Sequence, residues 1–452
     1  VTSSMPPRYL TLIAAFCLSL GATAAEDDLL SRDALFGDDL PNPGAKAKDA
    51  GSGIKGFVQF EGARTTPDPA HWSKLRTRAD LNSNGKFGSD LKWKLGVRLD
   101  YDFAYGINDF YNPDVAKNQR WDVQLRENYV DFSAGNWDFR LGRQHVVWGE
   151  MVGLFFADVV SARDMREFIL PEFDQLRTPQ WAARAEYFVN DIHAELLWIP
   201  VATVDNIGKP GAEFFPNQPV APGFRAKYLP EQRRSGNAAD NMNYGARIST
   251  LKNGWDVSAF YYRSTDNNAT FYRNIDLSSQ TFIYEARHDR IHQYGSTLAK
   301  DFGDIVWKAE GVYTRGRSFT SLNPLDSDGV VQQNTLDWAT GLDFTLPAES
   351  RLNVQIFQRQ YFGFNETIVS DKRENGYSLL VNTKVVPNWE AQALFISSLN
   401  RTDWLFRPRM TWNFQRNWRW VFGADVFNGA ATGLFGRYDQ KDRVYSEVRH
   451  SF

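Results

Sequence analysis

From Ile54 to the end of the chain, large apolar side chains recur at every second position, and that period decides what the chain can fold into. Leu91, Trp93, Leu95, Val97, Leu99, Tyr101 and Phe103 fall on one face of an extended segment. Asp90, Lys92, Lys94, Gly96, Arg98, Asp100 and Asp102 fall on the other. The alternation returns at 74–82 and at 335–346, where Leu336, Trp338, Leu342 and Phe344 oppose Asp337 and Asp343. At 404–414, Trp404, Phe406, Met410, Trp412 and Phe414 oppose Arg407, Arg409 and Asn413. A soluble sandwich would show the same period, so the aromatics carry the distinction: they make up 15% of 452 residues, with 15 Trp. That content suits the aromatic girdles of a membrane barrel. Mean hydropathy is −0.46, and nothing past residue 24 reaches the roughly 18 apolar residues of a spanning helix. A helical membrane protein is excluded; a barrel with a polar lumen is not. With 51 basic against 54 acidic residues, the charge of −3 gives no reason to expect a nucleic-acid partner.

Turn signals provide a second line. Tight connections are predicted at 82–88, 134–136, 190–191, 252–254, 302–304, 347–350, 387–388 and 415–417. Between them lie longer loops at 106–120, 148–179, 200–240, 265–289, 318–334, 363–375 and 429–442. The alternation predicts an all-β fold: a closed antiparallel transmembrane β-barrel over residues 54–452, of about 18 strands, with short periplasmic turns and long extracellular loops. A count of about 16 follows if one loop or weak strand is misassigned. Trp93, Phe103, Trp338, Trp404, Trp412, Trp418 and Trp420 are expected to face lipid.

The ends fit export to the outer membrane of a Gram-negative cell. Residues 1–24 read as a signal peptide: Arg8, an apolar run Tyr9 to Leu20, then Ala22-Thr23-Ala24 before acidic Glu26. Cleavage there would remove Cys17, the one cysteine, and with it any disulfide or thiolate chemistry. Residues 25–53 read as a periplasmic leader or a small plug. The terminal alternating segment, ending in Phe452, resembles the signal by which the barrel assembly machinery recognises its substrates. Outer-membrane lipids and lipopolysaccharide are the other expected partners.

The segment 140–184 is the least ordinary. A strand carrying Arg140 runs into a loop of about thirty residues, a length that marks function or disorder. Leu154, Phe155, Phe156, Val159, Val160, Phe168, Ile169 and Leu170 need burial, which argues for a loop folded into the barrel. Such a loop would present Arg163, Asp164, Arg166 and Glu167 to a pore and set its selectivity. The alternative is an extracellular loop whose charged pairs are structural. Parity places Arg76, Arg78, Arg98, Arg126, Arg140, Arg184, Arg359, Arg407, Arg409, Arg419 and Arg449 in the lumen, with Asp80, Asp100, Asp102, Glu186, Asp425 and Glu447 beside them. They form either a wall ladder or a track for anionic solutes. Arg98, Arg126, Arg140, Arg407 and Arg409 join the four loop residues as pore-lining candidates.

The run Gly142-Arg143-Gln144, Trp148-Gly149, Asp158, Arg163-Asp164, Arg177, Pro179 resembles a proteobacterial family catalogued as domain of unknown function 1302. There is a looser similarity to alginate-export-type porins. The family resemblance implies an outer-membrane barrel, and traffic in lipids or hydrophobic compounds with a resistance-nodulation-division-type export system. His288 and His292 have helical metal-site spacing in a context that reads as a strand end, and Asp326 to Gly329 reads as a polar turn. No catalytic, phosphate-binding or dinucleotide motif stands out, so no enzyme activity, cofactor or metal is expected. The expected function is a channel or transporter for a small anionic or amphiphilic solute. A structural or adhesion barrel acting through its loops is the first alternative and an outer-membrane enzyme the second.

Overall fold

The period-two segments form strands, as a computed structural model of residues 53–149, 151, 157–232 and 241–452 describes. Residues 1–24, expected to be a signal peptide, residues 25–52 of the expected leader, and Leu154, Phe155 and Phe156 lie outside the described residues. The first six barrel strands are β1 (Lys55–Thr65), β2 (Trp72–Phe87), β3 (Leu91–Asp102), β4 (Trp121–Ala134), β5 (Trp137–Gln144) and β6 (Gln180–Val189). There follow β7 (Ile192–Val201), β8 (Asn243–Lys252), β9 (Trp255–Thr265), β10 (Arg290–Asp301), β11 (Ile305–Thr320) and β12 (Val330–Leu346). The last are β13 (Ser350–Phe362), β14 (Arg373–Val386), β15 (Trp389–Ser398), β16 (Asp403–Gln415), β17 (Trp418–Gly429) and β18 (Arg443–Ser451).

Each strand pairs antiparallel with its neighbours in the chain, giving one 18-stranded sheet. β18 closes on β1, with Phe57 opposite Ser451 and Thr65 opposite Arg443. Closure is what a membrane demands, since an open edge would leave unpaired backbone groups in hydrocarbon. The outer wall is apolar: Leu95, Leu99, Trp198, Ile248, Ile356, Phe406 and Phe422 are exposed. The lumenal wall is polar, with Arg98, Asp100, Asp102, Asp337 and Asp425 buried. Trp93, Trp338, Trp404, Trp412, Trp418 and Trp420 alternate with these inward groups and stand outside. Phe103 packs edge-on against outward Tyr101, 4.6 Å between ring centroids.

Three connections differ from expectation. The tight connection expected over 82–88 is confined to its end: β2 continues to Phe87 and turns at Gly88, whose φ is 67°. Cross-strand pairing holds it: Gly85 lies opposite Trp93, whose ring covers it so closely that a Cβ would stand 2.7 Å away. An aromatic over a strand glycine restores the packing the glycine lacks. The links 66–71 and 399–402, on the long-loop end, are short and were not among the expected loops, although Pro67-Asp68-Pro69 marks the first of them.

Candidate functional site

The chain between β5 and β6 turns into the barrel. Val146, Trp148, Ala157, Val159 and Val160 bury against Ala182, Leu197, Ile199, Phe260, Tyr262 and Val312 on β6, β7, β9 and β11. Trp148 is 1% exposed and donates its indole N–H to Glu195 Oε1 at 3.0 Å. Gly245 makes its seat, since a Cβ there would stand 2.8 Å from the ring. Burying one large apolar side chain contributes roughly 1.5–3 kcal/mol, so these residues alone favour an in-folded loop.

Beyond this entry, Ala162–Arg163 pairs with Arg177–Thr178 as a short ribbon. Its tip reaches the opposite wall. In a ring of 18 strands β10 faces β1; the Ala157 N–H donates to Glu310 on β11 at 3.2 Å, while Glu172 meets Arg449 on β18. Asp164 caps the 3-10 turn Met165–Glu167. Phe168 follows with φ 53°, a conformation costing about 1–3 kcal/mol for a residue with a side chain. Its burial with Phe214, Phe427, Phe435 and Tyr438 offsets that cost.

Charged groups of the wall hold the tip. Glu167 meets Lys74, Arg76 Nη1 at 2.6 Å and Arg443 Nη2 at 3.5 Å. Burial would raise its carboxyl, but Arg76, Lys74 and Arg443 outweigh burial and hold it well below the usual range. Arg407 donates to the Leu170 carbonyl at 2.7 Å and Arg98 to that of Gln175 at 3.1 Å. Arg126 donates to the carbonyls of Asp174 at 2.6 Å and Arg177 at 2.9 Å. Arg78 donates to Gln175 Oε1 at 2.5 Å. Guanidinium groups suit this work because several fixed donors can satisfy carbonyls that have left regular structure.

Of the candidates, then, Arg98, Arg126, Arg407 and Arg409 converge on the loop, and Arg140 does not. Arg140 pairs with Asp131 on β4 at 2.7 Å and covers the Tyr129 ring. The backbone N–H of Arg163 donates to Asp205 at 2.8 Å, and its guanidinium donates to the Asp158 carbonyl at 3.1 Å. Arg166 bonds Asp164 at 2.8 Å and also pairs with Asp122. Among the described residues, a small and a larger cavity flank the tip. The small one of about 40 Å³ is lined by Asp164, Arg166, Glu167, Arg76 and Arg78. The larger one of about 510 Å³ carries Arg163, Arg317, Arg359 and Arg437 among Phe168, Phe214, Phe271 and Phe319. That volume falls within the range of small-molecule pockets.

A family model described as "Protein of unknown function (DUF1302)" matches residues 70–350, a span that includes the in-folded loop. The chain belongs to this family. No curated protein matches it. Among solved structures it is similar to OccAB1 of Acinetobacter baumannii, with 8% identity and a TM-score of 0.54, over 88% of this chain and 96% of that one. It is also similar to OccAB4 of Acinetobacter baumannii, with 10% identity and a TM-score of 0.51, over 88% of this chain and 97% of that one. The shared fold is that of outer-membrane β-barrel porins, and at such identities the likeness speaks for the fold alone.

In this family member, sequence reading missed the acids that organise the loops: Glu172, Asp205 and Glu213. Parity could have placed Lys74 and Arg443 inward, but loop acids have no periodic signal. Glu213 joins four loops, meeting His71 Nε2 at 2.5 Å, Tyr111 Oη at 2.9 Å and Lys441 Nζ at 3.1 Å. His288, paired in the sequence with His292, is buried and bonds Glu231 at 2.9 Å and the Asp266 carbonyl at 2.9 Å. His292 bonds Tyr261 instead, so the two do not share a ligand. Among the described residues, Glu186, His193 and Glu195 bring possible metal-ligand atoms within 4.8 Å of one another. Arg184 stands 2.8 Å from Glu186 and already supplies the positive charge there.

Burial works against charging His71 and His288, yet hydrogen bonding to Glu213 and Glu231 raises both above the ordinary 6.5. Their contribution is therefore complete below pH 6.5 and is lost as pH rises through the elevated folded values. Limited proteolysis of the loops should be slower at about pH 6 than at about pH 8.5, with Glu213→Gln shrinking the difference. Equal cleavage of the unaltered protein at both pH values would rule this out.

Proposed function

We propose that the chain is an outer-membrane channel for a small anionic or amphiphilic solute, with the loop between β5 and β6 as its constriction. One observation carries the proposal: a segment fixed across the lumen borders a cavity of about 510 Å³ whose lining mixes phenylalanines with arginines. Apolar rings suit the body of an amphiphile, and guanidinium groups suit a carboxylate or another oxyanion at its head. The acids Asp158, Asp205, Asp266 and Asp337 share that lining, which favours selection among solutes over bulk anion flow. Arg163, Asp164, Arg166 and Glu167 are the loop charges that set selectivity.

Planar-bilayer conductance of the purified protein tests this, with fatty acids, aromatic acids and uronates as blockers. Block by an amphiphilic acid at concentrations where the uronate has no effect supports the proposal; absence of any conductance overturns it. Arg163→Ala combined with Arg166→Ala should shift the reversal potential under a salt gradient toward cations, because two fixed positive charges leave the constriction. Unchanged selectivity would remove these two residues from the role.

A further inference from the structure

Glu172 is held differently from Glu167. Arg409 Nη1 and Arg419 Nη2 each approach it at 3.1 Å and Arg449 Nη2 at 3.5 Å. Charge-assisted hydrogen bonds of this kind are typically about 2.7–2.9 Å, so the grip is loose for so much positive charge. The Nε–H groups of Arg409 and Arg419 are buried without a partner. Glu172 and Glu447 are the carboxylates in contact with these guanidinium groups, the latter 3.1 Å from Arg419 and 3.5 Å from Arg449. Arg449 also donates to Gln59 Oε1 from Nε at 2.9 Å and Nη2 at 2.7 Å and lies in the field of Asp174, so the unused donors are those of Arg409 and Arg419.

The place is also accessible. The side chain of Glu172 is 32% exposed, and those of Arg409 and Arg419 are 29% and 28% exposed. Arg419 is the second residue of β17, and Arg449 lies near the end of β18, so the cluster sits toward the short-turn mouth of the barrel. Glu172 precedes the short helix Phe173–Leu176, and its side chain makes no capping hydrogen bond there. From the helix, the Gln175 amide reaches the carboxylate only at 3.5 Å.

We infer that Arg409, Arg419 and Arg449 form a binding site for carboxylate-bearing solutes, occupied in the resting barrel by the carboxylate of Glu172 as an exchangeable stand-in. A solute carboxylate entering from the short-turn mouth takes the place of Glu172 and collects the donors that Glu172 leaves unused. Glu167, 2.6 Å from Arg76 and enclosed by Lys74 and Arg443, remains as the anchor of the tip. The site deepens the channel reading, but it is tested by binding, so the two stand or fall separately.

Calorimetric titration of the full-length, detergent-solubilised barrel with succinate reads the site whether or not the barrel conducts. An internal competitor lowers apparent affinity by the fraction of time the site is vacant, so Glu172→Gln should bind succinate about tenfold more tightly than the unaltered protein. Glu172→Asp, whose carboxylate is shorter by one methylene, should fall between them. Adding Arg409→Gln and Arg419→Gln to Glu172→Gln should abolish the gain. A Glu172→Gln barrel that is folded by circular dichroism and binds no more tightly overturns the inference. So does a triple variant that keeps the tighter binding. Should Glu172→Gln fail to fold, unchanged affinity in Glu172→Asp overturns it equally.

Discussion

Replacing residues 157–170 by a short Gly-Ser linker is expected to raise single-channel conductance by at least roughly twofold, because barrels of 16–18 strands otherwise leave an aqueous lumen. The deleted stretch holds Phe168 and Leu170, which are buried with Leu405 and Phe427. It also holds Glu167, on which Lys74, Arg76 and Arg443 converge. The sheet itself should survive, since its strand pairing runs from β1 round to β18 without this segment. Planar-bilayer recording measures the change. A conductance equal to that of the unaltered protein would mean that the loop does not narrow the path, and the constriction would have to be sought in the wall.

The single substitution Glu167→Gln should loosen the same loop without deleting it. It removes one negative charge and leaves Lys74, Arg76 and Arg443 with less compensation; Lys74 and Arg443 are each 4% exposed at the side chain. Breaking a buried ion pair from one side costs about 3–5 kcal/mol, more than one apolar side chain contributes to docking. The tip should therefore detach for part of the time. Trypsin cleavage after Arg163 or Arg166 should become rapid, and conductance should fluctuate between the resting level and that of the deletion. If both readouts match the unaltered barrel, the docking energy lies in the aromatic cluster around Phe168 and the ion pairs add little to it.

The two experiments separate what apolar burial and charge each contribute, and the sequence bears unequally on the two. Trp93, Trp338, Trp404 and Trp412 were legible as outward residues because a strand has a fixed period of two, and one assignment propagates along the whole segment. Val159, Val160, Phe168 and Leu170 were legible as residues needing burial because their transfer from water is favourable whatever they pack against. Phe168 shows the limit of such reading. Its need for a cover was evident, but its positive φ and its neighbours Phe435 and Tyr438, from a loop more than 260 residues along the chain, were not.

The sequence by itself thus determined the barrel class, the inward and outward faces, and the presence of a segment that could not remain in solvent. Only the tertiary structure decided which charges meet. Arg409 and Arg449 appeared as lumenal arginines with no assigned partner; the fold brings Glu172 to them, 237 and 277 residues away in sequence. Arg140, equally lumenal by parity, meets Asp131 across a tight hairpin and stays clear of the loop. The physical reason is range. Periodicity and burial are properties of a residue and its near neighbours, whereas an ion pair depends on a closure that joins the last strand to the first, and no local pattern encodes that distance.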